Sequence, residues 1–147
     1  MLSKTLSKLF NRDIKRIKAE IEAYTSEEAI WQKADGITNS GGNLSLHLSG
    51  NLQHFFGAVV GGTDYIRDRD FEFTGKVSRQ ELLDDLDAAL SSISATLDGM
   101  SDEELKKDYP IELFGGKMKT EWFFIHLQSH LNYHLGQINY HRRLLNQ

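Results

Sequence analysis

The chain contains no cysteine, which excludes disulfides, thiolate metal sites and a cysteine nucleophile. It has a single proline, so collagen-like and proline-rich linker architectures are excluded too. No apolar run approaches the ~18 residues a membrane span requires, and Met1 to Phe10 lacks the uninterrupted apolar core of a secretory signal. A cytoplasmic protein with no membrane partner is expected. Excess positive charge is also missing. Lys and Arg number 17 against 21 Asp and Glu, a net charge of −4, which argues against a nucleic-acid binder that works through bulk electrostatics. What remains is an ordinary globular composition, 39% hydrophobic and 26% charged. The 147 residues suit one domain spanning 1–147, able to bury roughly 68–70% of its unfolded surface.

Four long stretches carry helical periodicity. In the first, Leu2, Leu6, Leu9, Phe10, Ile14, Ile17, Ile21 and Tyr24 recur at steps of three and four and keep one stripe inward. Its outer face holds Lys4, Lys8, Arg12, Lys15, Arg16 and Lys18, as any solvated helix face can. Ser26 with Glu27 and Glu28 predicts a capped short turn ending near Asp35-Gly36. After the loop Asn39-Ser40-Gly41-Gly42, a second helix is expected from Asn43 to Val60, closed by Gly61-Gly62. Ser78 and Glu81 form an S-x-x-E capping box for the third, whose stripe is Leu82, Leu86, Leu90 or Ala89, Ile93 and Leu97. Ile111 to Lys119 alternates around Gly115-Gly116 and reads as a small β-hairpin. Thr120 is expected to cap a fourth helix reaching almost to Gln147. The fold class is therefore all-α, a four-helix bundle. The link Gly61 to Val77 can stretch about 50 Å, enough to cross a bundle whose ~20-residue helices are ~30 Å long.

All six histidines lie on two of these helices, His47 and His54 on the second and His126, His130, His134 and His141 on the fourth. At 100° per residue, His126, His134 and His141 fall about −40°, +40° and +20° from His130, one stripe on one face. His47 and His54 differ by about 20° and also share a face. Zn–N bonds of ~2.0–2.1 Å demand ligands one turn apart, i and i+4. The pairs available are His126/His130 and His130/His134, with a third imidazole from His47 or His54. Such a three-histidine site keeps positions open for water or substrate. Half-buried histidines bonded to neighbours are the plainer alternative for each pair. Asn51, one turn after His47, suits either orienting that imidazole and contacting a ligand, or helix packing. Gln137 lies three residues after His134, close enough to bond it or to bond across the bundle. His126 suits the pocket mouth or a ligand position. His54 and His141 read as structural or exposed. Arg67 to Asp70 reads either as an ion-pair knot over the site or as a solvated loop. Tyr109, Phe114, Trp122, Phe123 and Phe124 read as core or dimer-face aromatics.

The run His130-Leu-Asn-Tyr-His134-Leu-Gly136-Gln137-Ile138 with the later Arg142, an H-x3-H-x-G-Q-I-x-x-x-R pattern, resembles the last helix of the DinB/YfiT-like superfamily. Asn43-Leu-Ser-Leu-His47-Leu-Ser-Gly-Asn51 resembles that family's second helix. Tyr65-Ile-Arg67-Asp68-Arg69-Asp70-Phe71-Glu72-Phe73 resembles the R-D-R-D-x-E-F segment of a DUF1572-like branch. The resemblance covers most of the chain in the right order, although the glycine usual after the final R-x-L is replaced by Leu145. It implies an antiparallel bundle of up-down-down-up connectivity. It also implies a divalent ion, nickel or zinc, held by His47, His130 and His134, and often a homodimer. Characterised members are thiol-dependent transferases or isomerases using mycothiol or bacillithiol.

Two functions follow as expectations. One is a metal-dependent enzyme acting on a small molecule, by thiol transfer with a low-molecular-weight thiol as co-substrate or by hydrolysis. The other is a non-catalytic, stress-associated metal-binding protein whose ion ties helices two and four together. A pocket of ~300 Å³ or more beside the ion belongs to the first, a closed fourth ligand to the second.

Overall fold

In the computed structural model, which describes residues 1–146, the first apolar stripe becomes α1 (Leu2–Ala23), with Phe10, Ile14, Ile17 and Ile21 fully buried. Ser26 caps the short α2 (Glu27–Trp31), accepting from the Ala29 amide. That turn stops at Trp31, short of Asp35-Gly36, because Gln32 is already extended. α3 (Gly41–Leu52) is capped by Ser40, whose hydroxyl accepts from the Asn43 amide, and runs into a π-helical turn over Gln53–Ala58. The expected regular helix from Asn43 to Val60 is corrected in both its start and its final turns. Then follow α4 (Arg69–Thr74), α5 (Arg79–Asp98), α6 (Asp102–Leu105) and α7 (Thr120–Leu145). Both halves of the Ser78/Glu81 capping box form at α5, where Ala89 rather than Leu90 is fully buried. Thr120 does not cap α7. Lys119 holds that position, and Thr120 Oγ1 donates to the Lys107 carbonyl at 3.0 Å.

The chain is mostly helical, with no strand among the described residues. The hairpin expected around Gly115-Gly116 is absent. Pairing there is limited to an isolated antiparallel bridge between Asp108 and Lys119. Tyr109 N bonds the Met118 carbonyl and Thr120 N the Lys107 carbonyl, and beyond them the chain bends at Pro110 and Ile111, so no further pair forms. The loop turns at Gly115, φ 79°, and lays Phe114 against Trp122, Phe123 and His126.

Long-range contacts fix the directions of the four long helices. Buried Asp13 accepts from Gln128 Nε2 at 2.6 Å and Asn132 Nδ2 at 2.9 Å, and Tyr24 Oη meets His141 Nδ1 at 2.6 Å, so α1 and α7 run the same way. Lys18 pairs with Asp87, and Arg79 donates to the Tyr24 carbonyl, so α5 runs opposite to α1. Phe55 and Phe56 pack on Phe123 and Phe124 while His47 meets His130, so α3 runs opposite to α7. The Asp13 anchorage also sets the rotation of α7. Gln128 and Asn132 face α1, leaving His130 and His134 turned toward α3.

The π turn positions the aromatic layer beneath that face. Its i→i+5 bonds, Val59 N to His54 O and Gly61 N to Phe56 O, both 2.9 Å, widen the helix. Tyr109 Oη donates to the Phe55 carbonyl at 2.7 Å and Thr96 Oγ1 to the Phe56 carbonyl at 2.9 Å, so this turn is tied down by side chains from outside α3. Among the described residues no helix is long and apolar enough to cross a membrane.

Candidate metal centre

Between α3 and α7 three imidazoles meet. His130 Nε2 lies 3.2 Å from His47 Nε2 and 3.1 Å from His134 Nε2, and one nitrogen from each of the three falls within 4.8 Å of the others. Of the open alternatives, the structure brings together His130/His134 rather than His126/His130, and His47 rather than His54. His126 stands outside the cluster, its ring stacked on Trp122 with centroids 5.4 Å apart. His54 sits half-buried against Phe55 on the π turn. His141 is buried and structural, holding Tyr24 through Nδ1 and the Gln32 carbonyl through Nε2 at 2.7 Å.

The outer nitrogens show how the inner ones are disposed. His47, 8% exposed, donates from Nδ1 to Glu72 Oε1 at 3.0 Å. His134 donates from Nδ1 to Gln137 Oε1 at 2.6 Å, so Gln137 orients its imidazole. A proton on Nδ1 of each ring leaves its Nε2 to face the cluster. His130 can place at most one proton among three facing nitrogens. Its own Nδ1 is buried without a partner, so packing rather than a second hydrogen bond holds this ring. Burial pushes the His130 pKa down to about 3, helped by neighbouring His134 and His47, so the ring stays neutral. Burial also lowers the pKa of His134. Three lone pairs converging with one proton to share is a donor set that a cation completes. Two nitrogens bound to one tetrahedral zinc at ~2.05 Å stand ~3.3 Å apart, close to the separations seen. The residues fit a divalent ion.

Glu72 is the functional residue that residue-by-residue reading missed. It lies in the quoted R-D-R-D-x-E-F run as a lone carboxylate between Phe71 and Phe73, which was its available signal. α4 lays it along α3, 4% exposed, where Arg67 donates to it from Nε at 2.8 Å and from Nη2 at 2.9 Å. Burial pushes the Glu72 carboxyl up, but the bonds from His47 and Arg67 outweigh this and hold it below the ordinary range. It is therefore an ionised acceptor for the imidazole, the carboxylate–histidine arrangement that orients metal ligands. Two features of α3 admit it. Asn43 Nδ2 donates to the Glu72 carbonyl at 3.2 Å, and a Cβ at Gly50 would stand 2.1 Å from Glu72 Oε2. The Arg67–Asp70 knot thus resolves into separate roles. Arg67 clamps Glu72, Asp68 caps α4 by accepting from the Phe71 amide, and Arg69 lies over the Phe73 ring.

Beside His47 and His130 opens a pocket of about 370 Å³, walled by Phe55, Phe114, Phe123 and His126 and reaching Asn51. Asn51 is 7% exposed, and its Oδ1 has no hydrogen-bond partner; it makes no bond to His47. Among the described residues the cluster has three members and no carboxylate as a fourth.

A family model described as a protein of unknown function, DUF1572, matches residues 2–147. The crystal structure of a DinB-like protein from Bacillus cereus ATCC 10987 superposes with a TM-score of 0.75 at 16% identity, over 96% of this chain and 91% of that one. At that identity the likeness is one of fold. No curated protein matches the chain. With a family match spanning nearly every residue, the chain, which has a DinB-like fold, belongs to the DUF1572 family.

Proposed function

We propose that the protein is a divalent-metal-dependent enzyme in which His47, His130 and His134 hold the ion, nickel or zinc, and which carries out thiol-dependent transfer or isomerisation on a small electrophile. The observation that carries this reading is the convergence of three Nε2 atoms whose outer nitrogens are in two cases already committed, beside an open pocket. The scaffold is read as a four-helix, up-down-down-up bundle, in keeping with the directions of α1, α3, α5 and α7. A Lewis-acidic ion favours the deprotonated form of a thiol or water near neutral pH. The chain's own residues supply the rest. Glu72 keeps His47 in the tautomer whose Nε2 is free, Gln137 does the same for His134, and the aromatic wall limits water. The chain lacks cysteine, so the sulfur comes from a low-molecular-weight co-substrate. A cytoplasmic homodimer is part of this reading. Trp122, Ile125, Tyr133 and Tyr140 form an exposed face on α7, and Gly136 among them has open space where a Cβ would be.

The test is elemental analysis of untagged protein exposed to nickel or zinc, then thiol-transfer and esterase screens with His47→Ala as control. About one ion per chain and a thiol-dependent product lost in His47→Ala are expected. Turnover with water alone selects the hydrolase alternative, and an ion without turnover selects a non-catalytic metal protein. No ion at all ends the reading.

The Gly50 contact yields a further expectation. Gly50→Ala forces Glu72 away from His47, so metal affinity should fall ~10–100-fold, as for other outer-shell losses, with helicity unchanged. Competition against a chromophoric chelator measures it, and wild-type affinity in Gly50→Ala would mean that Glu72 does not orient His47.

A further inference from the structure

The pocket beside His47 and His130 carries an unusual charge balance. No Asp or Glu lines it, yet two arginines do. Arg67 is spent on Glu72, with two of its nitrogens bonded to that carboxylate. Arg69 has no carboxylate partner among the described residues. Its guanidinium instead lies 5.3 Å from the centroid of Phe73, whose ring is 5.0 Å from that of His47. A free guanidinium is thus held one aromatic ring away from the histidine cluster, with its donors uncommitted. The second feature is independent. Asn51 is buried and lines the same pocket with its side-chain amide, for which no hydrogen bond within the protein is seen among the described residues. The remaining wall is aromatic. Pockets of this size bind small molecules through an apolar lining and a few placed polar groups.

We propose that this pocket takes a small carboxylate-bearing molecule with an amide-like polar group beside an apolar body. Arg69 pairs with the carboxylate, an interaction that guanidinium geometry favours. The Asn51 amide pairs with the ligand's polar group, and the apolar part lies against Phe55, Phe114 and Phe123. The assignment of this molecule as substrate rests on the metal-centre reading above; its binding does not.

The probe is hippurate, which combines a carboxylate, an amide N–H and a phenyl ring, compared with its uncharged amide, hippuramide. Calorimetric titration is run on the full chain, zinc-loaded and chelator-treated, in wild type, Arg69→Gln and Asn51→Leu, with circular dichroism melts to verify folding. Hippurate is expected to bind at least about tenfold more tightly than hippuramide with or without zinc. Arg69→Gln should erase that preference while leaving hippuramide and zinc binding unchanged, and Asn51→Leu should weaken both ligands. The proposal is overturned by absence of saturable hippurate binding, by equal binding of the two probes, or by a preference that survives Arg69→Gln. A preference seen only with zinc overturns it too, since the carboxylate would then sit on the ion. Failure to bind zinc with the preference intact sinks the metal-centre reading alone, and zinc binding without the preference sinks this proposal alone.

Discussion

In His130→Ala, zinc or nickel retention should disappear, with affinity reduced by well over 100-fold. Loss of an outer-shell partner costs 10–100-fold, and loss of a ligand must cost more. His130 is the natural choice because its Nε2 is the shared vertex, 3.1 and 3.2 Å from the other two. Without it, His47 and His134 offer two nitrogens from different helices and no one-turn pair. The substitution also has a signature that separates lost ligation from lost folding. The His130 ring is neutral, and its buried Nδ1 bonds to nothing, so in chelator the variant should melt close to wild type. Added zinc at 100 times its Kd should stabilise wild type by about 2.7 kcal/mol and leave the variant unmoved. Metal analysis and paired melts check both halves. An unchanged stoichiometry in His130→Ala would refute the site.

The second large effect is expected at Glu72. In Glu72→Ala, the Arg67 guanidinium, whose side chain is 14% exposed, loses its bidentate partner, and His47 loses the acceptor of its Nδ1 proton. Breaking a buried ion pair from one side costs about 3–5 kcal/mol because it strands the remaining charge. Urea unfolding in chelator should therefore show a loss in that range. Metal affinity should fall about 10–100-fold as His47 loses its orientation. Glu72→Gln keeps the shape and an acceptor but not the charge, so it should lie between wild type and Glu72→Ala in both measurements. A loss below about 1 kcal/mol in Glu72→Ala would place the pair among weak solvated contacts.

The two expectations draw on residues of very different visibility in the sequence. His130 and His134 stand one turn apart on a long periodic segment, and α-helical geometry alone places them on one face. The Ser78/Glu81 box is equally local, and it forms as the pattern implies. Glu72 has no such local grammar. Its role appears only when α4 folds back on α3 over Gly50, a contact between residues more than twenty positions apart. The alternation from Ile111 to Lys119 mimicked a hairpin because period-two patterning does not say whether two arms run side by side, and here the chain bends at Pro110 and Ile111 instead. The π turn was invisible for a related reason. Its distinguishing bonds differ from those of an α-helix by one residue of register, and its Phe55 and Phe56 carbonyls are engaged by Tyr109 and Thr96 from elsewhere in the chain.

By itself the amino-acid sequence determined the long helical segments, the caps at Ser26 and Ser78, and the fact that imidazoles occupy only two faces, since these depend on spacing along one rod. Which three imidazoles meet, how their protons are disposed, and which arginine is left free were decided by tertiary structure alone. Those outcomes depend on helix rotation set by Asp13, on the packing of α4 against a bare glycine, and on distances between rods, quantities that no spacing within a single segment contains.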